Sequence, residues 1–108
     1  MQSTECSIEA TLKTVGDRWT LLILRNIFRG IKRFETIQQD LGVARNLLSK
    51  RLQHLVENGV VERFLYQEKP DRYEYKLTNK GRALSPSLIA LMQWGDQWCS
   101  SVEPPVKL

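Results

Sequence analysis

One histidine, His54, and two cysteines, Cys6 and Cys99, are all the imidazole and thiol groups this chain of 108 residues offers. Neither cysteine has a partner at metal-ligand spacing, so no metal is expected. His54 sits between Gln53 and Leu55, with no cysteine or carboxylate constellation beside it. Covalent catalysis needs a nucleophile next to a base, and the sequence shows none. A glycine-rich phosphate loop is also missing, which removes the usual mark of a nucleotide cofactor. A non-enzyme without cofactor is the expectation, with His54 a surface or boundary residue. Apolar runs such as Leu21-Leu22-Ile23-Leu24 are far shorter than the roughly 20 residues that cross a bilayer. The opening Met1-Gln2-Ser3-Thr4-Glu5-Cys6 is polar, with no basic region ahead of an apolar stretch. No secretory signal and no membrane partner are expected, and the cytoplasm is the default location. No internal repeat or low-complexity tract is present.

Hydrophobic residues make up 42% and charged residues 26%, the balance of a folded chain rather than a disordered one. The length suits a single domain, 1–108. The net charge of +4 is compatible with a polyanionic partner, but its distribution says more. Between Arg29 and Arg51 lie Arg29, Lys32, Arg33, Arg45, Lys50 and Arg51, opposed only by Glu35 and Asp40.

Hydrophobic spacing then divides the chain. Ile8, Leu12 and Val15 recur at helical spacing, with Ser7 able to cap the segment and Gly16 to end it. Asp17 reads as the cap of a second helix, whose Trp19, Leu22, Ile23, Asn26 and Ile27 form a wide stripe across the core. Gly30 stops it. Phe34, Ile37 and Leu41 mark a short helix of about two turns, closed by Gly42. After Val43-Ala44, a further helix from Arg45 to Asn58 places Leu48, Leu52, Leu55 and Val56 on one face. Two helices joined by a turn with glycine form a helix-turn-helix, here at about 34–58.

The period then shortens. Val60 to Tyr66 is rich in β-formers, Lys69-Pro70-Asp71 signals a turn, and Tyr73 to Leu77 alternates. A hairpin at about 60–77 makes the motif winged. Thr78 can cap a terminal helical region, about 79–100. Pro86 either kinks it or sits in the first turn of a fresh helix capped by Ser85. The fold class predicted is mainly α (α+β), a winged helix-turn-helix with a two-stranded wing and terminal dimerisation helices.

Opposite the leucines of the Arg45–Asn58 helix stand Asn46, Ser49, Lys50 and Gln53, with Arg45 at its entrance and Arg51 on its flank. A major groove admits one α-helix, and its base edges are read by amides and cations. A solvated helix face carries the same residue types, so the face alone is ambiguous. The order helix, turn, basic-faced helix, hairpin favours double-stranded DNA. Lys69 and Arg72 at the wing, and Lys32 and Arg33 before the short helix, are candidate phosphate contacts; ordinary soluble turns are the alternative. From Pro86 to Trp98 the stripe Leu88, Leu91, Met92, Gly95 and Trp98 reads either as a last core helix or as a two-fold interface. A homodimer is favoured, because paired half-sites need a symmetric reader.

Specific residues resemble those of the HxlR-type family of bacterial winged helix regulators, related to the wider MarR-like group. They are Cys6, Gly16-Asp17-Arg18-Trp19-Thr20-Leu21-Leu22-Ile23-Leu24, Arg33-Phe34, Leu41-Gly42, Leu48-Ser49-Lys50-Arg51-Leu52, Leu55 to Gly59, Pro70, Tyr73-Glu74-Tyr75-Lys76-Leu77-Thr78, Gly81, Leu91 and Trp94-Gly95. The resemblance implies a dimer, joined through its first and last helices, on a palindromic operator. It places Arg45 to Arg51 in the major groove and the Lys69–Arg72 wing beside it. Some members sense oxidants or electrophiles through an N-terminal cysteine, whose place Cys6 occupies; an idle thiol is the alternative. A small-molecule effector fits the reading, although no motif names one. The rival function is a winged helix used only for protein contact.

Overall fold

The computed structural model describes residues 6–99. The expectations for the polar start before Cys6 and for residue 100 lie outside them. The elements are α1 (Ser7–Val15), α2 (Arg18–Phe28), α3 (Phe34–Leu41), α4 (Arg45–Glu57), β1 (Val61–Gln67), β2 (Arg72–Leu77), α5 (Asn79–Arg82) and α6 (Ser85–Trp98).

Capping explains most of the boundaries. Asp17 Oδ2 accepts from the Trp19 and Thr20 amides at 3.0 and 3.1 Å and so starts α2. Thr78 Oγ1 accepts from the Gly81 amide at 3.0 Å and starts α5. Gly42 ends α3 with φ +64, a left-handed conformation that favours glycine. The cap of α1 is Cys6 rather than Ser7: its Sγ accepts from the Glu9 amide at 3.4 Å. Ser7 is already helical. At the other end of the chain, Ser85 is likewise the first helical residue and not a cap. Leu84 takes the cap position without a side-chain bond, and Pro86 lies in the first turn, where its missing N–H costs nothing. The terminal region is therefore two helices, α5 and α6, instead of one.

The core forms where α2, α3 and α4 converge under the wing. Ile23, Leu24, Ile37, Leu48, Leu52 and Leu55 are fully buried, joined by Val60, Val61 and Tyr75 from the wing side. A buried leucine contributes about 1.5–3 kcal/mol through the hydrophobic effect, so the three leucines of α4 fix its rotation firmly. Leu24 takes a central place that the spacing assigned to Trp19 and Leu22, which are only half-buried. Asn26 lies in the core with its Oδ1 accepting from Arg25 at 3.1 Å.

β1 and β2 pair antiparallel, from Val61 opposite Leu77 to Leu65 opposite Tyr73, with an irregularity between Leu65 and Gln67. The connecting turn contains a cis Lys69–Pro70 bond. The segment before α3 joins the hairpin edge: Arg33 bridges Glu74, and the Tyr75 amide donates to the Lys32 carbonyl at 2.8 Å. The wing is thereby attached to the helix-turn-helix through backbone as well as side chains. Among the described residues no helix is long and apolar enough to cross a membrane.

Candidate nucleic-acid interface

Burial of Leu48, Leu52 and Leu55 turns the opposite side of α4 to solvent. Arg45, Asn46, Ser49, Lys50 and Gln53 are all exposed there, as their spacing predicted. Arg45 lies 4.7 Å over the Phe34 ring, which steadies its guanidinium at the entrance of α4. Ala44 caps α4 without a side-chain bond, so the first amides of the helix lack a capping side chain. Gln53 donates to Glu57 at 3.1 Å, one turn along the same face.

Arg51 departs from expectation. Its Nε lies 3.0 Å from Asp17 Oδ2, the atom that caps α2. Partial burial works against the charged form of Asp17. The Thr20 and Trp19 amides and the Arg51 guanidinium outweigh it, and the carboxyl stays below its ordinary 3.8. Arg51 is thus half-buried and turned toward the α1–α2 corner, not simply offered to solvent.

Arg72 of the wing and Arg33 before α3 are similarly engaged. Arg72 Nη1 approaches Glu35 Oε1 at 3.7 Å, and the Tyr66 hydroxyl donates to the same oxygen at 2.8 Å. That bond to a carboxylate holds the Tyr66 phenol above its ordinary 10.0. Arg33 lies 4.2 Å over the Tyr66 ring and 3.9 Å from Glu74. One network therefore ties Arg33 and Arg72 to α3 and β2. Nothing in the local sequence pairs Glu35 with Tyr66, because the contact spans 31 positions. Lys32, Lys50 and Lys69 are exposed and make no ion pair among the described residues.

A second exposed surface lies on α1 and α6. Ile8 is 71% exposed, Leu12 57%, Leu91 58%, Trp94 63% and Trp98 65%. No residue of α6 is buried within the chain. Of the stripe expected at a two-fold interface, Leu88 packs half-buried against its own core, and Met92 and Gly95 are half-buried. Leu91 and Trp98 keep the outward position expected of them. Ile8, Leu12 and Trp94 are exposed as well, and Leu12 and Leu91 line one shared cleft between α1 and α6. Cys6 and Cys99 are free and exposed. Among the described residues no cluster of His, Cys, Asp or Glu could hold a metal ion.

A two-helix motif with a polar outer face, followed by an antiparallel hairpin, defines a winged helix-turn-helix protein. A family model described as HxlR-like helix-turn-helix matches residues 14–103, and the chain belongs to that family of transcriptional regulators. The HTH-type transcriptional regulator Rv3095 of Mycobacterium tuberculosis, itself uncharacterised, is 48% identical over 103 residues; the match covers 94% of this chain and 65% of that protein. The chain thus spans just under two thirds of that relative. The HTH-type transcriptional regulator YodB of Bacillus subtilis is 35% identical over 101 residues, covering 92% of this chain and 90% of YodB. Its reduced form superposes with a TM-score of 0.73 at 32% identity, over 95% of this chain and 100% of that one. The crystal structure of PA1607 gives a TM-score of 0.84 at 41% identity, over 98% of this chain and 75% of that one.

Proposed function

We propose that the protein binds double-stranded DNA sequence-specifically, as a homodimer on a palindromic operator. The observation that carries this reading is the division of α4. Leu48, Leu52 and Leu55 are fully buried, while Arg45, Asn46, Ser49 and Lys50 are exposed toward the N-terminal half of the helix. Amides and cations in that position match the donor and acceptor pattern of a major groove. Lys32, before α3, and Lys69, in the wing turn, are exposed and supply phosphate contacts that position the protein without reading sequence. The exposed apolar residues of α1 and α6 support dimerisation, since several aromatic and leucine side chains left in water are costly. The redox part of the reading rests on Cys6, which is exposed, and on similarity to YodB, one form of which is described as diamide-treated.

Selection from a random duplex pool tests the reading. The wild-type chain is expected to enrich an inverted repeat, and Asn46→Ala to lose that enrichment. A chain that enriches no sequence at all would support the rival reading, a winged helix for protein contact. For Cys6, a mild oxidant is expected to change affinity for the enriched duplex in wild type and not in Cys6→Ser. An equal response in both would remove Cys6 from the mechanism.

A further inference from the structure

His54 and Arg51 lie one turn apart on the same flank of α4, and both reach across to the corner between α1 and α2. His54 Nε2 lies 2.9 Å from the Thr14 carbonyl oxygen. That carbonyl belongs to the last turn of α1, where helical acceptors run out of internal partners. A carbonyl can only accept, so Nε2 carries the proton and donates. Nδ1 is then the acceptor, and Asn58 Nδ2 faces it at 3.4 Å while also donating to the His54 carbonyl at 2.8 Å. Each ring nitrogen thus faces a partner, one on α1 and one at the end of α4.

The two contacts across the corner are complementary. His54 donates to the C-terminal, partially negative end of α1. Arg51 binds the carboxylate that caps the N-terminal, partially positive end of α2. Thr14 and Asp17 are only three residues apart, so a single rigid corner meets α4 at two points. Leucine packing fixes how α4 is rotated but is non-directional and tolerates sliding. Directional bonds at 2.9 and 3.0 Å set its position along and around the corner.

We propose that His54 is a positioning residue for DNA recognition: it joins α1 to α4, so that the pose of the reading helix depends on where α1 lies. α1 also carries Cys6 at its cap and the exposed Ile8 and Leu12. Displacement of α1, by whatever covers or modifies it, is transmitted to the reading face through the Thr14 carbonyl. The proposal rests on the DNA-binding reading above.

The test uses the full chain and two probes, the duplex that wild type enriches from a random pool and a scrambled duplex of equal length. Affinity for each is measured across a salt series, alongside circular dichroism to give the folded fraction. His54→Ala is expected to lower the ratio of the two affinities about tenfold, the scale of couplings through a packed network, with the salt slope unchanged. His54→Gln, whose carboxamide N–H can replace Nε2–H, is expected to restore most of the ratio. An unchanged ratio in His54→Ala overturns the proposal. So does an equal loss on both duplexes in step with the folded fraction, which marks a merely structural residue. If wild type enriches nothing, the DNA reading itself fails and takes this inference with it.

Discussion

Arg51 Nε and Asp17 Oδ2 are 3.0 Å apart across a separation of 34 residues, joining the middle of α4 to the cap of α2. The same carboxylate oxygen therefore serves two helices. Arg51→Ala is expected to cost about 0.2–1 kcal/mol, as half-exposed ion pairs do, and Asp17→Ala about 0.5–2 kcal/mol, because it removes the cap as well. Chemical denaturation checks both. In Asp17→Asn the cap survives and the pair is lost, so its cost should match that of Arg51→Ala, and the double variant should cost no more than either.

Asp17 also makes stability depend on pH. Its carboxyl is held below the ordinary 3.8 in the folded chain, so its contribution is present above that value and is lost as pH falls through the lowered folded pKa. The stability gap between wild type and Asp17→Asn is expected to be constant near neutral pH and to close in acid below about pH 4. Urea midpoints measured between neutrality and the onset of acid unfolding follow this directly.

In the wing, Glu35 should govern the ionisation of Tyr66. Glu35→Gln removes the negative acceptor at 2.8 Å, so the Tyr66 phenol is expected to move down toward 10.0. An NMR titration of the Tyr66 ring reports it. The same variant releases Arg72 from its ion pair, which should steepen the salt dependence of DNA binding by up to about one unit if the freed guanidinium finds a phosphate.

Dimerisation is expected to depend on α6. Wild type should sediment at twice the chain mass of 12.6 kDa, and Trp94→Glu or Leu91→Glu at that mass. Both residues are more than half exposed within one chain, so these variants should keep the monomer fold, with unchanged helical circular dichroism.

Gly81 tests the seat of α5. A methyl group there would fall on the Val60 carbonyl oxygen, which is backbone and cannot swing aside. Gly81→Ala is expected to cost about 1–3 kcal/mol by overpacking, measured as a lowered Tm without loss of β1–β2 pairing.

Much of this architecture could be read from spacing alone. Leu48, Leu52 and Leu55 declared their face because a four-turn helix repeats the apolar signal several times. Asp17, Thr78 and Gly42 declared boundaries because caps act within three residues. What stayed hidden is long-range. The spacing puts Arg51 on the flank of α4 but does not show its partner, which lies 34 positions away, and Glu35 gives no local sign of holding Tyr66 and Arg72. His54 looked bland for the same reason: its acceptor is a backbone carbonyl 40 positions earlier, and no side-chain identity records that. In the sequence Ser7 reads as the cap of α1 because a thiol is a weak acceptor, yet Cys6 is the cap and the helix begins one residue earlier.

Affinity for the enriched duplex, measured as a function of salt for wild type and Lys50→Ala, bears most directly on whether the solvent face of α4 is what meets DNA. Lys50→Ala should bind more weakly at low salt, with a salt slope shallower by about 0.9, the value of one released counterion. Identical curves for the two proteins would mean that this face stays in water, and that the reading helix reads nothing.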